Sequence, residues 1–184
     1  SVRLTHTASM QLLFLFLSFL VLAGAVLFLA VEFYAIFVGQ WYGAPYVPSK
    51  KDKIATMLAF AAIRPGETAV DLGSGDGILV IAAARQGAYA IGVEINPFLV
   101  WYSRWRIKRA GLEERARIVR QDFRRYPLSN ADALFLYLWP STVENLKEKF
   151  LGELKPGTRI VSHAFPLSYL NPVAKENSVF LYEL

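Results

Sequence analysis

The chain has no cysteine, and its two histidines, His6 and His163, stand far apart in 184 residues. Disulfides and thiolate metal sites are therefore excluded, and two such distant imidazoles make a poor metal site, so metal-dependent chemistry is not expected. Charge is also sparse. Asp, Glu, Lys and Arg make up 19% of the chain against 54% hydrophobic residues, high for a soluble domain, and the formal net charge is +5. No internal repeat appears.

The apolar excess sits at the N-terminus, where Leu12–Val31 is interrupted only by Ser18 and the small residues Ala23 and Gly24. At about 1.5 Å per residue such a helix spans roughly 30 Å, one bilayer core. Tyr34, Trp41 and Tyr42 would then lie at headgroup level as an aromatic belt. A cleaved signal peptide is the competing reading, but its apolar core is normally about 7 to 15 residues, shorter than this run. Lys50, Lys51 and Lys53 follow the run, against Arg3 before it, and this bias predicts a single-pass membrane protein whose catalytic domain faces the cytoplasm. Beginning at Ser1 rather than Met, the chain is expected to lack some N-terminal residues. The organisation read from these features is an N-terminal segment and anchor over 1–40, an aromatic and Pro-rich hinge over 41–49, and a catalytic domain over 50–184.

More specific is Asp71-Leu72-Gly73-Ser74-Gly75-Asp76-Gly77, which follows the apolar run Thr68-Ala69-Val70 and precedes a helical pattern through Ala84. The three glycines allow a sharp turn and close approach of a ligand, as in the cofactor loops of doubly wound sheets. Charge selects the cofactor. A dinucleotide loop sets pyrophosphate at a helix N-terminus and wants Gly or Ala where this chain has Ile78, and Asp71 and Asp76 would repel phosphate. S-adenosylmethionine has no phosphate; its sulfonium and ammonium suit acidic surroundings. Glu94 ends the next apolar strand, where ribose hydroxyls are bound in such sheets. Asp122 ends a third, Ile118–Gln121, and could accept a hydrogen bond from an adenine amino group.

Strands near 68–72, 88–94, 116–121, 132–138 and 158–163 alternate with helices near 77–86, 97–110 and 141–154. This predicts an α/β, Rossmann-like, doubly wound, mainly parallel sheet behind one N-terminal transmembrane helix. A helix through Ile54–Phe60 is expected to be capped by Ser49. Asn96 before Pro97 reads as an N-cap, Ser141 to Glu144 as a capping box, and 178–184 as one more strand.

Over residues 49 to 184 the chain resembles the class I, seven-strand S-adenosylmethionine-dependent methyltransferases. It looks most like the protein-lysine N-methyltransferases that include the archaeal broad-specificity enzyme and the membrane-anchored mitochondrial enzymes acting on the ATP synthase c-ring protein and related targets. Pro45-Tyr46-Val47-Pro48-Ser49, Asp71 to Gly77, Gly92-Val93-Glu94-Ile95-Asn96 and Leu154 to His163 carry the resemblance. It implies a cofactor site formed by Asp71, Gly73, Ser74, Gly75, Gly77, Glu94, Ile95 and Asp122, with Tyr46 near the transferring methyl. The chain departs from the pattern in Leu138-Trp139-Pro140-Ser141 after the fourth strand and in a C-terminal part that is short for a full last hairpin.

Methyl transfer from a sulfonium to nitrogen is an in-line displacement, so the protein must position the acceptor and keep it neutral. Tyr46 and Trp139 are candidate aromatic walls for a methylated cation, with ordinary packing as the competing reading. His163 is a candidate proton acceptor or a structural histidine. Nine basic residues between Arg104 and Arg125 form a solvated helix face or meet an anionic membrane. Nucleic-acid methylation is not favoured, because base-amine enzymes commonly carry Asn/Asp-Pro-Pro-aromatic after the fourth strand. The expected activity is N-methylation of lysine on a membrane-associated protein, with a lipid or lipophilic small-molecule methyltransferase as the alternative. A non-catalytic cofactor-binding module is the third class.

Overall fold

The computed structural model describes the backbone of residues 2–42 and 51–184, with side chains over 10–33 and 52–184. Two compact units result, residues 1–41 and 42–184. The first is a single helix, α1 (Val2–Tyr42). Trp41 and Tyr42, the first residues of the expected hinge, belong to this helix. Its segment Met10–Phe33 has a mean hydropathy of 2.9 and no buried side chain, and is long and apolar enough to cross a bilayer. A signal sequence would meet the same criteria.

The second unit is a seven-stranded sheet with helices on both faces. In chain order it comprises α2 (Lys51–Ala61), β1 (Thr68–Leu72), α3 (Ile78–Arg85), β2 (Tyr89–Glu94), α4 (Pro97–Arg109), β3 (Ala116–Arg120), β4 (Ala133–Leu136), α5 (Pro140–Asn145), α6 (Lys147–Glu153), β5 (Arg159–His163), β6 (Ala174–Glu176) and β7 (Val179–Glu183). The strand order is β3-β2-β1-β4-β5-β7-β6, parallel through β5, with β7 antiparallel to β5 and to β6. The order reverses between β1 and β4, which is where doubly wound sheets open a ligand crevice at the carboxyl ends of their strands.

The inner strands are buried on both faces, so they read as continuous apolar runs rather than alternating ones. Register assigns the faces different roles. Ala116, Ala90, Ala69 and Ala133 are successive partners across β3, β2, β1 and β4, and this low row faces the helices α2, α3 and α4. Bulkier Leu72, Val93, Leu134, Leu136 and Ile160 pack on the opposite side with Phe150 of α6 and Phe123. Arg159 joins the amino end of β5 to the end of α2, donating to the carbonyls of Ala61 and Ala62 at 2.5 and 2.7 Å and to Glu67 Oε2 at 2.6 Å.

Three local expectations need correction. The helix expected over 141–154 is two, α5 and α6, and Ser141 is no cap: Trp139 occupies the N-cap, Pro140 follows, and no side chain caps the turn. The last hairpin is complete. Asn177 and Ser178, with φ of 51° and 62°, form a two-residue left-handed turn of the kind that joins tightly paired strands, and this adds the short strand β6. The third strand stops at Arg120, two residues before Asp122. Asn96 does cap α4, accepting from the N–H groups of Phe98 and Leu99. Ser49, expected to cap α2, lies outside the described residues.

Candidate active site

Past β1 the chain turns on Gly73, Gly75 and Gly77, whose φ values of 79°, 54° and 72° lie in the left-handed region where a Cβ is penalised. The turn is tied to β2. The N–H groups of Gly73 and Ser74 donate to the Val93 carbonyl at 2.9 and 3.2 Å, and that of Gly75 donates to Glu94 Oε2 at 2.9 Å. Leu138, just beyond β4, reaches the same turn: a Cβ on Gly73 would sit 3.4 Å from Leu138 Cδ2.

Glu94 is buried, and its Oε1 accepts from the N–H groups of Ile95 and Asn96 at 2.9 and 2.8 Å. Three backbone donors thus fix this carboxylate, leaving lone pairs for a diol. Burial raises its pKa against the pull of those donors. Asp71 lies one strand away, in register with Gly92, and is buried; no described residue donates a hydrogen bond to it. Burial, with the carboxylates of Glu94 and Asp76 nearby, pushes its pKa up to about 7. A buried acid with no donor among the described residues suits a cationic ligand and would reject a phosphate.

Asp76 behaves differently from expectation. The Arg106 guanidinium of α4 pairs with its carboxylate and donates to its carbonyl at 2.8 Å, so this charge is compensated inside the protein. The acidity of the crevice rests on Asp71 and Glu94. Ser74 also turns aside: its hydroxyl is buried without a partner among the described residues and lies against Gly92, where a Cβ would come within 2.5 Å of Oγ. Gly92 therefore makes room for the glycine turn, a role its place inside an apolar strand does not reveal. Asp122 caps the short 3-10 turn Phe123–Arg125, its Oδ1 accepting from the Arg124 N–H at 3.0 Å and Nε at 3.1 Å.

On the other side of the crevice, aromatic rings gather at the ends of β4 and β5. Tyr137 and His163 have ring centroids 4.3 Å apart, and Trp139 and Phe165 are 5.6 Å apart. The buried His163 Nδ1 has no hydrogen-bond partner among the described residues. Burial and the Lys53 ammonium, opposed by Asp52, hold the imidazole below its ordinary pKa, so it is neutral near pH 7. Sequence reasoning does not single out Tyr137 and Phe165; the available signal is an aromatic placed just past each apolar strand. Tyr46 lies outside the described residues.

With this geometry in view, comparisons with known proteins are specific. Residues 71–174 match the model of the ANTKMT methyltransferase domain. The chain is 38% identical to a protein-lysine N-methyltransferase of Saccharolobus islandicus, over 70% of this chain and 81% of that one. It is 38% identical to the adenine nucleotide translocase lysine N-methyltransferase of Mus musculus, over 71% of this chain and 57% of the mouse protein. The chain thus spans about half the length of the vertebrate relatives it matches. Among solved structures, an RNA methyltransferase from Salinibacter ruber in complex with S-adenosyl-L-homocysteine superposes with a TM-score of 0.70 at 35% identity, covering 74% of this chain and 92% of that one.

Proposed function

The chain belongs to the ANTKMT methyltransferase-domain family of protein-lysine N-methyltransferases, and from that premise we propose that it is a membrane-anchored enzyme methylating lysine side chains of a membrane-associated protein, with S-adenosylmethionine as donor. The observation that carries the reading is the pairing, across the glycine turn, of an oriented Glu94 with an Asp71 that has no donor among the described residues. When bound, S-adenosylmethionine supplies an electrophilic methyl on a sulfonium. Glu94 would hold the ribose diol, Asp71 would face the positively charged amino-acid end, and the turn from Gly73 to Gly77, with Ser74 and Ile95, would frame the adenosine. Asp122, two residues beyond β3, would meet the adenine edge.

For the acceptor, the chain must present a neutral amine, although a lysine in water has a pKa near 10.4. The aromatic group of Tyr137, Trp139 and Phe165 would desolvate the ammonium and favour its neutral form, while its π faces would still accommodate a methylated cation. Neutral His163, with Nδ1 unpartnered, would accept a hydrogen bond or a proton at the same end of the sheet. By the resemblance, Tyr46 would also stand near the transferring methyl. A helix such as Met10–Phe33 would confine the enzyme to the surface where a membrane-protein acceptor lies, raising its effective concentration there. Lys50, Lys51 and Lys53, which follow the helix, support a catalytic unit on the cytoplasmic side.

The test is transfer of tritiated methyl from S-adenosylmethionine into membranes of the source cells by the full chain, with Glu94→Ala as control. Counts that depend on the intact enzyme and are recovered as methyl-lysine after protein hydrolysis support the reading. Counts in the organic extract would identify a lipid methyltransferase instead, and counts in RNA would align this chain with its Salinibacter neighbour.

A further inference from the structure

Helix α4 buries Val100, Ser103 and Ile107 against the sheet and turns a second stripe outward. Phe98, Trp101 and Trp105 on that stripe are 65%, 62% and 46% exposed. Their spacing, with Tyr102 between them, places all four rings on one helix face. The face is basic at its end: Lys108 and Arg109 are exposed, Arg85 of α3 lies across a groove of about 520 Å³, and none of the three has a carboxylate partner among the described residues. Isolated exposed aromatics need no explanation, but large rings in a row beside uncompensated cations do.

We propose that this face docks the catalytic unit onto an anionic lipid surface, the rings entering the headgroup boundary and the cations meeting lipid phosphates. The combination is the one found on helices that lie in a membrane interface, where Trp and Tyr seat at headgroup depth and basic residues add electrostatic attraction. The chain also carries Met10–Phe33, which would hold this unit beside a bilayer. Single-stranded nucleic acid is disfavoured by the ring geometry. Bases need open aromatic faces to stack on. Here Phe98 and Tyr102 stack on each other at 6.4 Å and Tyr102 and Trp105 at 5.9 Å, while Arg106 and Arg109 cover Tyr102 and Trp105 at 5.8 and 5.4 Å. Docking concerns binding alone and does not rest on which acceptor is methylated.

The absence of native cysteine makes the test direct. The full chain, as Phe98→Cys or as Leu151→Cys on exposed α6, is labelled with nitrobenzoxadiazole and placed in lipid nanodiscs carrying doxyl-labelled chains. Quenching at 98 but not at 151 in phosphatidylcholine discs containing phosphatidylglycerol, relieved by high salt, is the expected result. The docked-to-undocked ratio falls about fivefold for each of Arg85 and Arg109 replaced by Gln. A label at 98 that stays in water in every disc overturns the proposal. So does one shielded only by added single-stranded RNA, or only at high protein concentration without lipid. A chain that does not insert into discs, yet whose label is quenched on anionic vesicles, refutes the anchor and keeps the docking face.

Discussion

Replacing Asp71 by Asn should move stability and cofactor affinity in opposite directions. Ionised Asp71 is costly in the free protein, because its pKa rises from 3.8 to about 7 on folding. At 1.36 kcal/mol per unit, that penalty is roughly 4 kcal/mol once the carboxyl is charged in both states. The sign follows from the raised value. Below pH 4 the acid is protonated folded and unfolded, so no penalty exists; it grows from pH 4 to 7 and is complete above 7. The amide has no charge to bury, so the ligand-free Asp71→Asn variant should be more stable at pH 8 by about 1–4 kcal/mol, a rise of several degrees in melting temperature. Binding should weaken. A carboxylate within about 4 Å of a cation contributes roughly 4 kcal/mol at an effective dielectric of 20, so the loss should be about two to three orders of magnitude in affinity. Wild-type affinity should also fall about tenfold per pH unit below 7, where Asp71 must release a proton to bind, and the variant should lose this slope. Thermal melts and titration calorimetry with S-adenosylhomocysteine, on the full chain in nanodiscs from pH 5 to 8, measure all three effects. An Asp71→Asn variant that melts lower at pH 8 and keeps its affinity would refute the assignment.

Gly92→Ala should cost about 1–3 kcal/mol in denaturant unfolding, because its Cβ would meet Ser74 Oγ at 2.5 Å and Ile118 Cδ1 at 2.6 Å inside the core. Tyr182→Phe should cost about 1–3 kcal/mol in the same assay: the buried hydroxyl accepts from the Leu167 N–H at 2.9 Å, and that donor would be left unpaired. Arg106→Ala should uncover the charge of Asp76, push the Asp71 pKa higher still, and so move the acid limb of cofactor affinity to higher pH, which calorimetry across pH would detect.

Most of this architecture is legible in the chain because the relevant signals are local. Strand β1, the glycine turn and the acid at the end of β2 are written in contiguous residues, and the Asn96-Pro97 pair marks the start of α4 where it occurs. What is not legible depends on partners distant in sequence. Asp76 reads as one more acid beside the turn until folding brings Arg106 to it. Gly92 reads as a weak point in a strand until Ser74 is seen lying against it. Asp122 reads as a strand-terminal acid because β3 runs into it without punctuation, and only the hydrogen bond from Arg124 shows a cap. Strand β6 escapes sequence reading because a three-residue edge strand carries almost no pattern; the usable signal is Asn177-Ser178, a dipeptide able to take two successive positive φ values.

Asp71 and His163 lie on opposite sides of the crevice opened by the strand-order reversal. Elsewhere the described carboxylates beside strands are satisfied in ordinary ways: Asp132 takes a backbone N–H and Lys155, and Glu67 takes Arg159. Among the described residues Asp71 has neither cation nor donor, and the buried His163 Nδ1 has no partner although the strand that carries it is paired on both sides. A fold optimised only for stability would replace the first by an apolar residue, at a gain of the size worked out above. Retaining an acid at one side and an unpaired base at the other is what a site must do if it is to receive a cation and a protonated amine in turn. On the proposed reading the two groups would give the site a polarity: Asp71 would attract positive charge at the β1–β2 end, and His163 would accept a proton at the β4–β5 end.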